Sequence, residues 1–197
     1  MKIGFVGLGA VVQTAYLPAL AALAENPEIW GFDPAITLPG VMSAPTLEAL
    51  LAYGHIVSLL MAATFLASQT ALCRSEWLNA AAVERLVRLD RLWWISALAV
   101  LLTGLARSYW GMKGAPWYWG QPLLHAKLTL FALVLLLAVA PTRRFARWQA
   151  TLRSGGSLPS APDVQATRRL VMIEAHALVV LPLLGVWLAR GIATRAL

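Results

Sequence analysis

The sequence predicts an all-α integral membrane protein: a bundle of four transmembrane helices preceded by a short, incomplete Rossmann-like β-α-β segment. Hydrophobic residues make up 59% of the chain and charged residues 13%, whereas an average soluble domain has about 25% charged residues. Four apolar runs are long enough to cross the hydrocarbon core of a bilayer as helices. These runs begin only after a different N-terminal pattern, which divides the chain into residues 1–48 and residues 49–197.

The N-terminal segment has the pattern of a strand, a turn and a helix. Apolar residues 2–6 predict a strand, Gly7-Leu8-Gly9-Ala10 predicts a tight turn, and a second strand pattern at residues 28–32 ends at Asp33. Glycines in such a turn let a pyrophosphate approach the backbone, and an acidic residue about 20 positions later can bind a ribose hydroxyl. Gly7, Gly9 and Asp33 are therefore the candidate cofactor-binding residues of this segment.

This pattern resembles the start of the Gfo/Idh/MocA-type NAD(P)-dependent oxidoreductases, in its opening strand, its G-x-G-A turn, its LPAL helix and its following DP. The resemblance implies dinucleotide binding. However, Val12 replaces the third small residue of the turn, and two strands with one helix cannot complete a doubly wound sheet. We therefore expect a remnant without NAD(P) binding. Residues 1–24 also fit a signal peptide, and a fused or mis-started reading frame is a further interpretation.

The predicted membrane spans cover about residues 50–71, 92–107, 122–141 and 170–189. Before the second span, leucines and charged residues fall on different faces, which predicts a helix lying along the membrane interface. Glycine, proline and aromatic residues between the second and third spans predict a turn with an aromatic belt. Residues 154–163 predict a flexible linker.

The distribution of basic residues predicts the orientation. Ten of the 16 Lys and Arg residues lie in the connections after the first and third spans, which the positive-inside bias assigns to the cytoplasm. We therefore expect a multi-pass protein of the bacterial inner membrane with both termini on the non-cytoplasmic face. The basic residues behind the net charge of +7 lie in short loops beside the spans, where anionic lipid headgroups are their natural partners. A nucleic-acid partner is therefore not expected. The single cysteine, Cys73, excludes an internal disulfide and a cysteine-based zinc site.

Ionisable and imidazole side chains inside the spans form two sets. Inserting such a group into a bilayer near the centre of a span costs about 2.5–3.5 kcal/mol of free energy. Groups of this kind therefore commonly face a cavity, a partner or a ligand. The set at the non-cytoplasmic end comprises His55, Arg107, His125 and Lys127. The set at the cytoplasmic end comprises Asp90, Glu174 and His176.

Each of these residues also has a purely structural interpretation. Arg107 and Lys127 can snorkel to the interface, His55 can bond a neighbouring carbonyl, and Glu174 can pair with Arg168 or Arg169. However, His55, Arg107 and Lys127 are expected to lie at the same depth in the membrane, and together they suggest one site. We predict that these three side chains converge on a cavity between the first three spans, roofed by Trp110 or Trp117.

Residues from about 50 to 190 resemble an uncharacterised bacterial family of four-helix predicted inner-membrane proteins, a domain of unknown function. The matching segments are LLAYGHIVSLL, RLDRLWWISALAVLLTGLAR, HAKLTLF and APTRRFARW. A histidine in the first span with a lysine in the third is also remotely similar to the HemJ-type protoporphyrinogen oxidases. That similarity implies haem as a possible cofactor, with His55 as a metal ligand only if haem is bound.

Binding is favoured over catalysis, and no catalytic residue is assigned. Because cations suit carboxylates and phosphates, we expect the first set to bind an anionic ligand such as haem, another porphyrin or a lipid. The alternative is a membrane oxidoreductase acting on a porphyrinogen or a quinone, with His55 as ligand or proton carrier and Lys127 holding the substrate. An ion-coupled carrier using Glu174 and His176 ranks last, because the chain lacks the internal repeat typical of carriers.

Overall fold

The computed structural model describes residues 2–6, 28–32, 44–111 and 113–192. The chain divides into two compact units, Met1–Leu50 and Leu51–Leu197. In the first unit, strands β1 (Lys2–Val6) and β2 (Glu28–Phe32) pair in parallel, with Lys2 opposite Glu28. Both strands lie where the sequence predicts them. Gly7, Gly9 and Asp33 lie outside the described residues, as does the stretch predicted to be a helix between the strands.

Four long helices contain the four predicted spans: α1 (Ala44–Leu72), α2 (Ala80–Trp110), α4 (Pro122–Arg153) and α5 (Ala161–Arg190). A short helix, α3 (Ala115–Trp119), lies in the predicted aromatic turn between α2 and α4. Each long helix is long and apolar enough to cross a membrane, with a mean hydropathy of 1.4 to 2.3 over its most apolar part. The prediction of four membrane-length helices is confirmed.

Helix α2 begins about three turns earlier than predicted, and the prediction of a separate interfacial helix before it is wrong. Asn79 caps the helix, and its side chain accepts a hydrogen bond of 2.8 Å from the Ala82 backbone N–H. Buried residues then recur at helical spacing without interruption: Val83, Leu86, Asp90, Trp93, Ala97 and Val100. The amphipathic pattern before residue 92 therefore reflects burial against neighbouring helices rather than contact with the membrane surface.

Helix α4 continues through Pro141 instead of ending there. Phe145 and Trp148 in the added turns are buried, and the Trp148 indole N–H donates to Asp163 Oδ2 at 2.8 Å. This packing outweighs the cost of a proline inside a helix. Helix α5 likewise begins at Ala161, with Ser160 as its N-cap, so the connection between the two helices is shorter than the predicted linker.

The long helices of the second unit form a ring in which each has two neighbours. Helix α4 packs against α2 and α5. Helix α1 reaches α2 through His55 and Thr103, and it reaches α5 through a hydrogen bond of 3.4 Å from Arg168 Nε to the Thr70 carbonyl. Large apolar side chains such as Leu60, Leu136 and Val179 are exposed on the outside of the ring. In a bilayer these side chains face lipid, because the hydrocarbon is as apolar as they are.

Candidate functional site

A cavity of about 340 Å³ lies between the four long helices, in the half of the bundle where α2 and α5 end. Helices α1, α2, α4 and α5 all contribute to its wall, and Tyr118 of α3 adds to it. Most of the wall is apolar. Its polar side chains are His55, Arg107, Ser108, Tyr118 and Lys127. The structure thus brings together His55, Arg107 and Lys127, which the sequence places on three different spans.

His55 is held in one orientation by its neighbours on α2. The imidazole is only 7% exposed, and its Nδ1 lies 2.9 Å from Thr103 Oγ1. The Thr103 hydroxyl donates to the Ala99 carbonyl at 2.6 Å, so Oγ1 accepts from Nδ1–H and the lone pair remains on Nε2. Gly104 makes room for the ring: a Cβ at that position would lie 3.1 Å from His55 Cε1.

The two cations of the cavity, Arg107 and Lys127, have no acidic partner in the described part of the chain. Among the described residues, no Asp or Glu oxygen lies within 4.0 Å of Arg107 or Lys127. The Nε atom of Arg107 is buried and has no hydrogen-bond partner in the described part of the chain. Lys127 extends toward α5, where its Nζ would lie 3.4 Å from a Cβ on Gly185. Arg107 and Lys127 both act electrostatically on His55. The cavity therefore concentrates positive charge in an apolar surrounding.

Parts of the predicted site are wrong. His125 does not line the cavity; it is exposed, and its Nε2 lies 2.9 Å from the Trp119 carbonyl. Side chains two residues apart on an α-helix point in directions that differ by about 200° around the helix axis. His125 therefore points outward when Lys127 points inward. Trp110 is 64% exposed, and neither it nor Trp117 lines the cavity. The aromatic residue that does line it is Tyr118.

The sequence analysis also missed the contribution of α5. Leu181, Pro182 and Gly185 line the cavity opposite the cations. Gly185 could have indicated this contribution from the sequence, because a small residue within a membrane span often marks a close approach between helices.

The second polar set divides into two parts. Asp90 is 6% exposed and accepts a hydrogen bond of 3.0 Å from the Thr142 hydroxyl, which accepts in turn from the Trp94 indole N–H at 2.9 Å. Glu174 is 2% exposed, and its Oε1 has no hydrogen-bond partner among the described residues. His176 is separate: it is exposed, and its Nδ1 lies 2.6 Å from the Met172 carbonyl of its own helix.

Glu174 does not pair with Arg168 or Arg169, which the structural interpretation of the sequence had allowed. Within the described ranges, no Lys, Arg or His nitrogen lies within 4.0 Å of the Asp90 or Glu174 carboxylate. Arg168 instead contacts the end of α1 through the Thr70 carbonyl. Among all described residues, no group of three or more His, Cys, Asp or Glu side chains could hold a metal ion.

Comparison with known proteins identifies one family. The model of a family described as "Predicted membrane protein (DUF2214)" matches residues 47–193, which include nearly all of α1 and the other four helices. No curated protein and no solved structure matches the chain. Strands β1 and β2 lie outside the matched range, and neither the dehydrogenase nor the haem-protein resemblance gains support from these comparisons.

Proposed function

We propose that this chain, which belongs to the DUF2214 family of predicted membrane proteins, binds an anionic amphiphile in the cavity between its four long helices. The ligand would have a carboxylate or phosphate head and a hydrocarbon body, as lipids and fatty acids do. One observation carries the proposal: Arg107 and Lys127 face an apolar cavity without an acidic partner among the described residues.

The charge of the cavity argues for an anionic head group. A cation held in an apolar environment is costly unless an opposite charge or several hydrogen bonds compensate it. The buried Nε of Arg107 lacks a hydrogen-bond partner within the described part of the chain. A carboxylate or phosphate would accept from the guanidinium fork and from the Lys127 ammonium at once.

The wall of the cavity argues for an apolar body. Leu59, Leu128 and Phe131 are among the side chains that would contact hydrocarbon. A volume of about 340 Å³ lies within the range of about 300–1,000 Å³ that is usual for small-molecule sites. In the orientation expected from the basic loops, the cavity would lie in the outer leaflet of the bacterial inner membrane, where lipids can reach it laterally.

Haem is the second candidate, and the hydrogen bond from His55 to Thr103 favours it. A histidine that binds a metal commonly has its other ring nitrogen fixed by a hydrogen bond, as Nδ1 is here. His55 Nε2 would hold the iron, and Arg107 and Lys127 would hold the propionates. When bound, haem would supply the electron exchange that the oxidoreductase alternative requires. The small volume and the absence of a second His, Cys or Met among the lining residues rank this candidate below a single-headed amphiphile.

The N-terminal unit has no part in this proposal. The described residues of this unit form two parallel strands, whereas a doubly wound sheet needs further strands to bind a dinucleotide. We therefore keep NAD(P)-dependent oxidoreduction as a last alternative.

The test compares ligands that differ only in their head group. The purified full-length chain in a neutral detergent would be titrated with oleate, oleoyl lysophosphatidic acid and oleyl alcohol, with tryptophan fluorescence as the readout. We expect the two anions to bind and the alcohol to bind at least about tenfold more weakly, because it lacks the charge that Arg107 and Lys127 recognise. The stronger of the two anions indicates whether the site prefers a carboxylate or a phosphate.

Matched variants locate the binding. Lys127→Gln should weaken binding of the preferred anion about tenfold, whereas Lys113→Gln should leave it unchanged. Lys113 is a suitable control because it stacks on Trp117 near the same end of the bundle without lining the cavity. Equal binding of all three ligands, or equal loss in both variants, would refute the proposal. A Soret band after haem reconstitution that disappears in His55→Ala would favour the second candidate instead.

A further inference from the structure

We propose that Asp90 and Glu174 form a second site, which binds one Na⁺ ion between α2, α4 and α5. This site lies in the other half of the bundle. Along α2, 10 residues of helix separate Asp90 from Val100, the nearest cavity residue on that helix, which corresponds to roughly 15 Å. The inference does not depend on the amphiphile site.

Two buried carboxyl groups, on α2 and α5, interact electrostatically and have no positive partner among the described residues. Glu174 is 2% exposed and Asp90 is 6% exposed. The Asp90 carboxylate is the charged group that acts on Glu174 electrostatically. Among the described residues, no Lys, Arg or His nitrogen lies within 4.0 Å of either carboxyl group. A buried carboxylate is strongly unfavourable unless a cation or a proton neutralises it, and the described residues provide no cationic side chain for this pair.

The oxygen of Glu174 is the observation that points to a ligand. Its Oε1 is fully buried and has no hydrogen-bond partner within the described ranges. Buried polar atoms in folded proteins nearly always have a partner, and an exception commonly marks an ion or a water that belongs to the site. A bound cation would satisfy Oε1 directly.

Neighbouring groups supply further oxygen donors. The Thr142 hydroxyl donates to Asp90 Oδ1 and so fixes that carboxylate while its other oxygen remains available. Pro141, which is buried inside α4, has no N–H and leaves the Leu137 carbonyl without its usual helical donor. Carboxylate, hydroxyl and freed carbonyl oxygens are the hard ligands that alkali and alkaline-earth cations prefer.

The small number of donors favours Na⁺ over a divalent ion. Ca²⁺ takes six to eight oxygens, and Mg²⁺ requires a nearly ideal octahedron. The candidate donors are two carboxylates, the Thr142 hydroxyl and the Leu137 carbonyl, and no group of three or more His, Cys, Asp or Glu side chains among the described residues could hold a metal ion. In membrane transporters, backbone carbonyls released from discontinuous helices coordinate Na⁺, and the Leu137 carbonyl is the comparable donor here.

The experiment measures Na⁺ binding directly. The full-length chain in detergent would be titrated with ²²Na⁺ in a scintillation proximity assay, with choline chloride keeping the ionic strength constant. We expect saturable binding of one ion per chain, which unlabelled Na⁺ displaces and Ca²⁺ does not. Glu174→Gln, which keeps the shape of the side chain and removes its charge, should weaken binding by about tenfold or more.

Glu76→Gln is the matched control. Glu76 is exposed in the connection between α1 and α2, where its carboxylate accepts a hydrogen bond from the adjacent Ser75 hydroxyl, so Glu76→Gln should leave Na⁺ binding unchanged. Absence of saturable binding to the wild-type chain would overturn the proposal even if Glu174→Gln failed to fold, and it would indicate that the pair shares a proton. Displacement by Ca²⁺, or an equal loss in both variants, would overturn it too.

Discussion

His55 Nδ1 lies 2.9 Å from the hydroxyl oxygen of Thr103, and this hydrogen bond joins α1 to α2 at the wall of the cavity. It connects residues 48 positions apart in the sequence. It also determines which ring nitrogen of His55 carries the proton, because the Thr103 hydroxyl already donates to a backbone carbonyl of its own helix. The orientation of the imidazole and the approach of the two helices are therefore coupled.

Removing the Thr103 hydroxyl should destabilise the contact between α1 and α2. We expect Thr103→Val to lower the free energy of unfolding by about 0.6–1.7 kcal/mol, the range measured for hydrogen bonds between membrane helices. Unfolding in mixed detergent micelles, followed by circular dichroism, would measure the change. Thr64→Val is the control, because the exposed Thr64 hydroxyl bonds only the Leu60 carbonyl of its own helix. Equal effects of the two variants would contradict a special role for Thr103.

Adding one methyl group at Gly104 should displace the His55 ring. A Cβ there would lie 3.1 Å from His55 Cε1, whereas a Cβ on Gly54 would lie 3.8 Å from Thr103 Cγ2, an ordinary contact. We expect Gly104→Ala to destabilise the protein by about 1–3 kcal/mol through overpacking. Gly54→Ala should be neutral or stabilising by up to about 1 kcal/mol, because alanine is the better helix former. Detergent unfolding measures both changes.

The same pair of variants tests the cavity. Because Gly104 and His55 both line it, Gly104→Ala should weaken binding of the preferred anionic amphiphile, and Gly54→Ala should not. If both alanine variants bind like the wild type, His55 does not shape the ligand site.

The only cysteine of the chain should resist alkylation while the protein is folded. Cys73 follows α1, it is fully buried, and its Sγ lies 3.8 Å from the Val164 carbonyl. Burial raises the pKa of the Cys73 thiol from 9.0 to about 11, so little of the reactive thiolate exists near neutral pH. N-ethylmaleimide should modify the folded chain slowly and the unfolded chain rapidly. Rapid modification of the folded chain would contradict the burial of Cys73.

The same pKa shift predicts a dependence of stability on pH. Because the pKa of the thiol is higher in the folded state, its contribution is fully present below about pH 9 and is lost as the pH rises through about 11. A shift of this size corresponds to about 2–3 kcal/mol. The free energy of unfolding should therefore depend on pH with different slopes in the wild type and in Cys73→Ala between about pH 9 and 11. Identical slopes would show that the thiol does not titrate in that range.

The orientation of the protein can be tested by labelling from outside the cell. Lys113 lies in the connection between α2 and α3, and Ser157 lies in the connection between α4 and α5; both are exposed. In a Cys73→Ala background, we expect a membrane-impermeant maleimide to label Lys113→Cys in intact spheroplasts and Ser157→Cys only after lysis. The reverse pattern would place the amphiphile cavity in the cytoplasmic leaflet, and both termini would then be cytoplasmic.

The N-terminal unit should not bind a dinucleotide. Calorimetric titration of the full-length chain with NADH and NADPH should show no binding, because the two strands among the described residues fall short of the doubly wound sheet that places a pyrophosphate on a helix N-terminus. A micromolar dissociation constant that Asp33→Ala weakens would contradict this expectation and restore the oxidoreductase interpretation.

The sequence by itself determined the features that depend on local composition. Apolar length predicted the four membrane helices, and short apolar strand patterns beside a glycine turn predicted β1 and β2, because each of these patterns is complete within one segment. The presence of His55, Arg107 and Lys127 within or at the ends of apolar spans also marked the part of the chain where a site should be sought.

Only the tertiary structure decided which helix faces meet and what each polar side chain contacts. The early start of α2 and the passage of α4 through Pro141 depend on burial of Val83 and Trp148 against other helices. In the same way, α5 contributes Gly185 to the cavity wall, and Glu174 is buried without an arginine partner among the described residues. The physical reason is that a membrane helix is apolar on nearly every side, so hydropathy locates the helix but its rotation is set by packing and by hydrogen bonds between helices.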